Sequence, residues 1–266
     1  MTSTLNKAIV IKLGGSIYNS RDSVITDIIR LQNEGQRVVI IHGGAKMVTG
    51  WLSKLNCTTS FYEGERITDG TCLDVVTAVL AGLANKEIVA TIINAGGKAI
   101  GISGVDGGLI QGKIKNRGRG YVGEVVTVDT SPLKAIIGAG FIPVIAPVSL
   151  HAWGRQEGER SLLNVNGDTA AGAIAASLGA ERLVFLTDVR GIKDESGKVI
   201  SHLPASKARH LIENGTAYGG MIPKIRACLE ATSNRITNCS IIDGSAPHGL
   251  LNEVVNGNTG TCISPD

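Results

Sequence analysis

Aromatic residues are scarce: three Phe, two Trp and four Tyr make up 3% of the 266-residue chain. Its core must therefore be built from Val, Ile, Leu and Ala. A chain of this length can bury a sizeable core, either as one α/β domain or as two closely packed lobes. A strong charge of either sign is also missing. With 26 basic against 23 acidic residues the net charge is +3, too mild for a nucleic-acid-binding surface although compatible with anionic substrates. The five cysteines (Cys57, Cys72, Cys228, Cys239 and Cys262) include no CxxC pair. An odd, scattered set excludes a disulfide framework or a zinc site, suits a reducing compartment, and reads as small core residues. Met1–Lys7 is short and polar, without the apolar run of a signal peptide. The apolar stretches read as strand-sized, far below a membrane span. The expectation is a cytoplasmic, unanchored protein with no nucleic-acid and no membrane partner.

The common catalytic signatures are missing too. Neither glycine pair after the first two strand-like runs, Gly14-Gly15 or Gly43-Gly44, fits GxGxxG or GxxxxGK[ST], so a dinucleotide fold and a P-loop are disfavoured. The five histidines (His42, His151, His202, His210 and His248) are scattered. They give no metal-ligand spacing and no Ser-His-Asp or Cys-His arrangement; no metal-ligating residue is assigned. Low-complexity linkers and solenoid repeats are absent, and a division near residue 180 is plausible without being sharply marked.

What the chain does have is alternation. Ala8–Leu13, Arg37–Ile41, Ala99–Ile102, Pro143–Ala146, Arg182–Thr187 and Cys239–Ile242 read as short buried strands. Between them, Asp22–Glu34, Met47–Leu55, Leu73–Asn94, Leu133–Ile137, Thr169–Leu178, Pro204–Glu213 and Ile222–Asn234 read as helices. The long Leu73–Asn94 helix is capped upstream by Thr68-Asp69. Such alternation predicts an α/β fold with a mostly parallel sheet and helices on both faces. Two hairpin-like stretches, Leu109–Val128 and Val148–Leu163, interrupt it and are expected to add antiparallel strands or lids.

Glycine pairs follow the first two strands, as Lys12-Leu13-Gly14-Gly15-Ser16 and His42-Gly43-Gly44-Ala45-Lys46. That is the carboxyl edge of a parallel sheet, the usual ligand side. Glycines there let backbone N–H groups approach an anion, and a helix N-terminus adds favourable partial charge. A tight turn alone would account for one such pair; two on successive strands favour a phosphate or carboxylate site. Lys12 is a charge inside an apolar strand, costly to bury unless an anion pairs with it, or else a strand-end lysine that reaches water. Arg66, in Glu65-Arg66-Ile67-Thr68-Asp69, suits bidentate recognition of a carboxylate and equally reads as an exposed arginine before a cap. In Asn164-Val165-Asn166-Gly167-Asp168, Asp168 reads as an N-cap and Asn164 as a turn residue, or the polar groups converge as an orienting cluster. Thr187-Asp188-Val189-Arg190-Gly191 ends a strand as a nucleotide loop or a simple turn. Gly219-Gly220-Met221-Ile222-Pro223-Lys224 opens a helix, with Pro223 in its first turn. A cation at a helix N-terminus opposes the dipole and suggests that an anion belongs there.

Taken together, IVIKLGGS, IIHGG, ERITDG, VLAGLANKEIV, YVGEV, NVNGDTAAGAIA, FLTDVRGI, GGMIPKI and GNTGTCI resemble, in order and spacing, the amino-acid kinase superfamily, and within it the acetylglutamate kinases. The resemblance runs over nearly the whole chain. It implies a three-layer α/β/α sandwich with an open, mainly parallel central sheet, in a single domain 1–266. The lobe of about 1–180 would bind the amino-acid substrate, N-acetyl-L-glutamate, and the lobe of about 181–266 would bind ATP, with Mg²⁺ carried on the nucleotide. It implies that Lys12 and Lys224 neutralise the transferring phosphoryl group while Asp168 positions both. Gly43, Gly44, Ala45, Arg66, Asn164 and Asn166 would bind the acyl amino acid. Gly14, Gly15, Thr187, Asp188, Gly191 and Met221 would contact the nucleotide. Strand one begins near residue 8, leaving no room for the extra N-terminal helix of an arginine-inhibited subgroup, so a homodimer without arginine feedback is expected. Two alternatives stay open at this point: a kinase of carrier-protein-linked aminoadipate, and a non-catalytic amino-acid sensor.

Overall fold

A computed structural model describes residues 8–15, 21–194, 196–234, 236–257 and 259–266. Met1–Lys7 and Ser16 therefore lie outside the described residues. Strands β1 (Ile9–Leu13), β2 (Val38–His42), β5 (Ala99–Ser103), β8 (Ile142–Ala146), β11 (Arg182–Thr187), β12 (His202–Pro204), β13 (Asn238–Asp243) and β14 (Thr261–Ser264) form one sheet, in the order β12-β14-β13-β11-β1-β2-β8-β5. All neighbours run parallel except β13 and β14. The helices are α1 (Arg21–Asn33), α2 (Ala45–Lys54), α3 (Gly70–Thr77), α4 (Asn85–Asn94), α5 (Ser131–Gly138), α6 (Gly167–Leu178), α7 (Ala205–Glu213), α8 (Met221–Ser233) and α9 (Gly249–Asn256).

Strand periodicity decides which side chains meet which helices. In β1, Ile9, Ile11 and Leu13 point into one core with residues of α1, α4 and α9. Val10 points into the other, with residues of α6 and α8. Lys12 shares the Val10 face because successive side chains alternate. Burying Val, Ile and Leu on both faces gives near-continuous apolar strands, as a doubly covered parallel sheet requires. The predicted layers are therefore present.

Three features depart from the sequence reading. Each hairpin-like stretch adds the expected antiparallel pair, but the two stretches also join each other through parallel ladders. β6 (Ile110–Ile114), β7 (Val122–Val128), β9 (Val148–His151) and β10 (Leu162–Val165) close a small barrel with two antiparallel and two parallel ladders. A separate two-stranded hairpin, β3 (Phe61–Tyr62) with β4 (Glu65–Arg66), also went unforeseen. Finally, Gly70–Asn94 is one continuous helical run whose middle, Ala78–Ala84, winds as a π segment. By length and composition this run is apolar enough to cross a membrane, which corrects the expectation that all apolar stretches are strand-sized. Its buried residues, among them Val75, Val76, Leu80, Ile88 and Ile92, pack into the chain's own core.

The order of the sheet reverses at β1, which lies between β2 on one side and β11 on the other. Such a switch point opens a crevice at the strand carboxyl ends. Lys12, His42 and Thr187 all lie at or next to that edge.

Candidate active site

Asp168 sits at the centre of the crevice. The N-cap of α6 is Asn166, not Asp168. Asn166 Oδ1 accepts from the backbone N–H of Asp168 at 2.8 Å and of Thr169 at 3.2 Å. That leaves the Asp168 carboxylate free for side chains. Lys12 Nζ stands 2.9 Å from Oδ1 and Lys224 Nζ 2.9 Å from Oδ2, with all three side chains largely buried. The Lys12 contact is one of charge more than of aligned hydrogen bonding, whereas Lys224 donates a directed bond. Burial alone would raise the Asp168 carboxyl; Lys12 and Lys224 together hold it below the usual carboxylate range. Lys224 is the fourth residue of α8 and also donates to the Gly220 carbonyl at 3.1 Å. Two buried cations sharing one carboxylate leave an excess positive charge, which suits a phosphoryl group.

Two cavities meet at this cluster. The first, about 300 Å³, is lined by Lys12, Asp168, Gly43, Gly44, Arg66 and Asn164 among others. The second, about 370 Å³, contains Thr187, Gly191, Met221 and Lys224. Asp188 lines both, and Thr187 Oγ1 donates to its Oδ1 at 3.2 Å. Gly191 has φ +147°, and a Cβ there would stand 2.6 Å from Thr261 Oγ1, so only glycine lets this loop close against β14.

Arg66 ends β4 with 6% exposure. Its guanidinium donates to Ala45 O at 3.0 Å, to Thr49 Oγ1 at 2.7 Å and to the Thr59 hydroxyl, and it lies 4.5 Å from the Phe61 ring centre. Burial pulls its pKa below the usual guanidinium value. Among the described residues no carboxylate lies within ion-pair distance of it. Asn164 is a strand residue of β10 rather than a turn residue, and its Nδ2 donates to Thr68 Oγ1 at 3.0 Å. The N-terminus of α2 has no side-chain cap, and Gly44, Ala45 and Lys46 of that terminus line the first cavity. Its first N–H groups therefore have no intrahelical partner.

The expected residues divide unevenly between the cavities. Gly43, Gly44, Ala45, Arg66, Asn164 and Asn166 gather in the first, with Lys12 and Asp168. Thr187, Asp188, Gly191 and Met221 gather in the second, with Lys224. Gly15 lines the first cavity rather than the second, against the Gly44 backbone. Gly14 lines neither, and its N–H is used by Leu186 O at 3.0 Å. Sequence reasoning missed the apolar wall of the first cavity, including Val48, Val76, Leu80 and Val122, and also Tyr218 and Lys193 in the second. The apolar wall carries no local sequence signal, since each of its residues is an ordinary core-forming type.

His42 is fully buried beside Lys12 and Lys86. Burial foremost, then those two cations, lower its pKa to about 4 despite the hydrogen bond to Gly43. Between pH 6.5 and about 4 the unfolded chain takes up a proton that the folded chain refuses. This contribution to stability is fully present above pH 6.5 and is lost as pH falls, by up to roughly 1.4 kcal/mol per pH unit. Urea melts at several pH values should therefore show a shallower acid slope for His42→Asn than for the wild-type chain.

Residues 7–243 match the model of the amino acid kinase family, and the chain belongs to that family. Within it, the chain is 50% identical over 264 residues to an acetylglutamate kinase of Dehalococcoides mccartyi, covering 99% of this chain and 97% of that one. It is 42% identical to an acetylglutamate kinase of Campylobacter curvus, covering 94% and 88% of the two chains. A solved structure from Streptococcus mutans shares the fold with a TM-score of 0.84 at 24% identity, covering 97% of this chain and 99% of that one.

Proposed function

We propose that the chain is an N-acetyl-L-glutamate 5-kinase, moving the γ-phosphoryl group of MgATP onto the side-chain carboxylate to give an acyl phosphate in arginine biosynthesis. The observation that carries this reading is the Lys12–Asp168–Lys224 cluster, set where two cavities meet. The first cavity, with the α2 N-terminus and with Arg66, which has no carboxylate partner among the described residues, takes the acyl amino acid. The second takes ATP. The division of labour thus follows the lobes of about 1–180 and about 181–266. A sensor without turnover would be expected to have lost one of the two lysines or the aspartate, and all three are assembled. Full-length similarity to acetylglutamate kinases favours that substrate over a carrier-linked one.

A carboxylate with a pKa of about 4 arrives ionised at neutral pH, so no general base is required. One carboxylate oxygen attacks the γ-phosphorus as the bond to the β–γ bridging oxygen breaks and ADP leaves. Lys12, on the acceptor side, and Lys224, on the nucleotide side, stabilise charge on the transferring group, and Asp168 keeps both in place. The work is positioning and electrostatics. The donors at the cluster are cations and N–H groups, which fit phosphate oxygens. Mg²⁺ carried on ATP would supply further charge neutralisation at the phosphates. Thr187, Asp188, Gly191 and Met221 border the second cavity as nucleotide contacts; Gly15 lies in the first cavity, and Gly14 shapes the turn.

Hydroxylamine trapping tests the reading directly. N-acetyl-L-glutamate with MgATP should yield ATP-dependent hydroxamate, and a wild-type chain that yields none would sink it. Arg66→Lys keeps the charge but loses the planar fork. It is expected to raise KM for the acyl amino acid about 10- to 100-fold, the worth of a charged hydrogen bond, with a smaller change in kcat. Initial-rate kinetics with both substrates varied check this. We further take the protein to be a cytoplasmic homodimer without arginine feedback. Exposed Leu83, Ile93, Ile100 and Phe141, the third of these on the edge strand β5, support self-association. Sedimentation should give twice the 27.6 kDa chain mass, and arginine should leave the rate unchanged.

A further inference from the structure

His42 ends β2 on the face opposite Lys12, and the phosphoryl transfer above does not use it. Both its ring nitrogens nevertheless have partners. Nδ1 lies 2.9 Å from Gly43 O, and Nε2 lies 3.2 Å from Asn85 Nδ2. A carbonyl oxygen only accepts, so Nδ1 carries the hydrogen. An amide NH₂ only donates, so Nε2 presents its lone pair. The Asn85 amide is itself oriented by its surroundings: its two hydrogens are shared among His42 Nε2, Val144 O at 2.9 Å and Ile102 O at 3.2 Å, while Lys86 Nζ donates to Oδ1 at 3.1 Å. A flipped amide would face its oxygen to two carbonyls and its NH₂ to an ammonium. One neutral tautomer, with hydrogen on Nδ1, is therefore imposed from outside the ring.

The same helix grips the next residue of the loop. Asn85 directly follows the π segment Ala78–Ala84, whose wide turns rotate the side chains that come after it. Within that segment Leu80 packs on Gly44, where an added Cβ would stand 2.6 Å from Leu80 Cδ2. Gly44 also has φ +158°, so side chains are disfavoured there on two grounds. The Gly43 carbonyl is thus held through His42 and the Gly44 backbone through Leu80.

We propose that His42 and Asn85 are positioning residues for the reaction: a neutral imidazole, fixed by Asn85 as its Nδ1–H tautomer, pins the Gly43 carbonyl and so aims the Gly44–Ala45 backbone and the uncapped α2 N-terminus at the anionic groups of the acyl amino acid. The kinetic consequence rests on the kinase reading; the tautomer does not. The depressed basicity of His42, from burial and from Lys12 and Lys86, is consistent with a ring kept neutral.

Two variants separate positioning from mere packing. Asparagine can place an N–H where Nδ1 stands, whereas glutamine reaches toward Nε2 and leaves Gly43 O without its donor. His42→Asn should keep KM for N-acetyl-L-glutamate within about threefold of wild type, while His42→Gln should raise it about tenfold or more, the worth of one lost hydrogen bond. KM for ATP and the affinity for ADP should stay within about twofold in both, which also verifies folding. In the wild-type chain, ¹⁵N spectra of labelled histidine should show an Nδ1–H tautomer that does not titrate between about pH 5.5 and about 8. An Nε2–H tautomer, titration near the ordinary histidine value, unchanged kinetics in His42→Gln, or an effect confined to ATP would each overturn the proposal. Should the wild-type chain fail to phosphorylate N-acetyl-L-glutamate, the substrate reading falls, and the spectra still decide the pair.

Discussion

Lys12→Ala is expected to lower kcat about 100-fold or more, and Lys224→Ala by a similar factor. Each ammonium stands 2.9 Å from Asp168 at the junction of the two cavities. Neither is free to wander: Lys12 is fixed by its strand and Lys224 by the first turn of α8. Catalysis by preorganised charge depends on that fixity, because a donor already in place needs no reorganisation as charge develops. Arginine should not rescue position 12, since a broad planar guanidinium cannot occupy the space of the Lys12 ammonium buried beside Gly43 and Gly167. The two alanine variants should differ in binding. Lys12→Ala should leave ADP affinity nearly unchanged, whereas Lys224→Ala should weaken it, because Lys224 alone of the two lines the second cavity. Steady-state kinetics with calorimetric ADP binding check both halves. Near-wild-type turnover in either variant would remove that lysine from the mechanism.

Asp168→Asn should cost more than activity. It leaves two largely buried ammonium groups with no counter-ion, and breaking such an arrangement typically costs about 3–5 kcal/mol. Turnover should fall by on the order of 100-fold or more as both lysines lose their anchor. Nucleotide should in turn stabilise this variant more than it stabilises the wild type, because bound phosphate replaces the missing negative charge. The pH dependence has a definite sign. Because the folded-state pKa of Asp168 lies below its ordinary value of 3.8, its stabilising contribution is fully present above about pH 4. It is lost as pH falls through the folded-state value. The asparagine variant should lack that acid-limb loss. Thermal melts with and without ADP, repeated from neutral pH down to about 3, measure all of these effects.

Much of the fold was legible because its signals are local. The apolar runs at Ile9–Leu13, Val38–His42 and Arg182–Thr187 are short and bounded by turns, and the strands fall within a residue or two of where the runs lie. The helix from Gly70 announced itself by its Asp69 cap, which accepts from Cys72 N–H. The barrel did not announce itself. Its ladders join β6 to β9 and β7 to β10, pairings set by long-range packing rather than by any turn. The π segment was equally hidden, because VLAGLA reads as ordinary helix until Gly44 is packed against it.

The candidate site shows the same division. Lys12 stood out because a charge inside an apolar strand is costly unless paired, and Lys224 because a cation at a helix N-terminus opposes the dipole. For Asp168 and Asn164 the sequence offered ordinary structural roles alongside functional ones. The chain contacts show that Asn166 does the capping and that Asn164 lies in a strand. His42 was merely one scattered histidine.

By itself the sequence determined the layered α/β class, the loops at the strand ends and the identity of the charged residues, since period, turn chemistry and the cost of buried charge are properties of short segments. The tertiary structure decided that Lys12 and Lys224, 212 positions apart by number (224 − 12), share one carboxylate. It also decided that the His42 ring stands within hydrogen-bond distance of the Gly43 carbonyl and of Asn85. Those facts depend on which faces of separate elements come together, and only the packed sheet and helices bring them within hydrogen-bond distance.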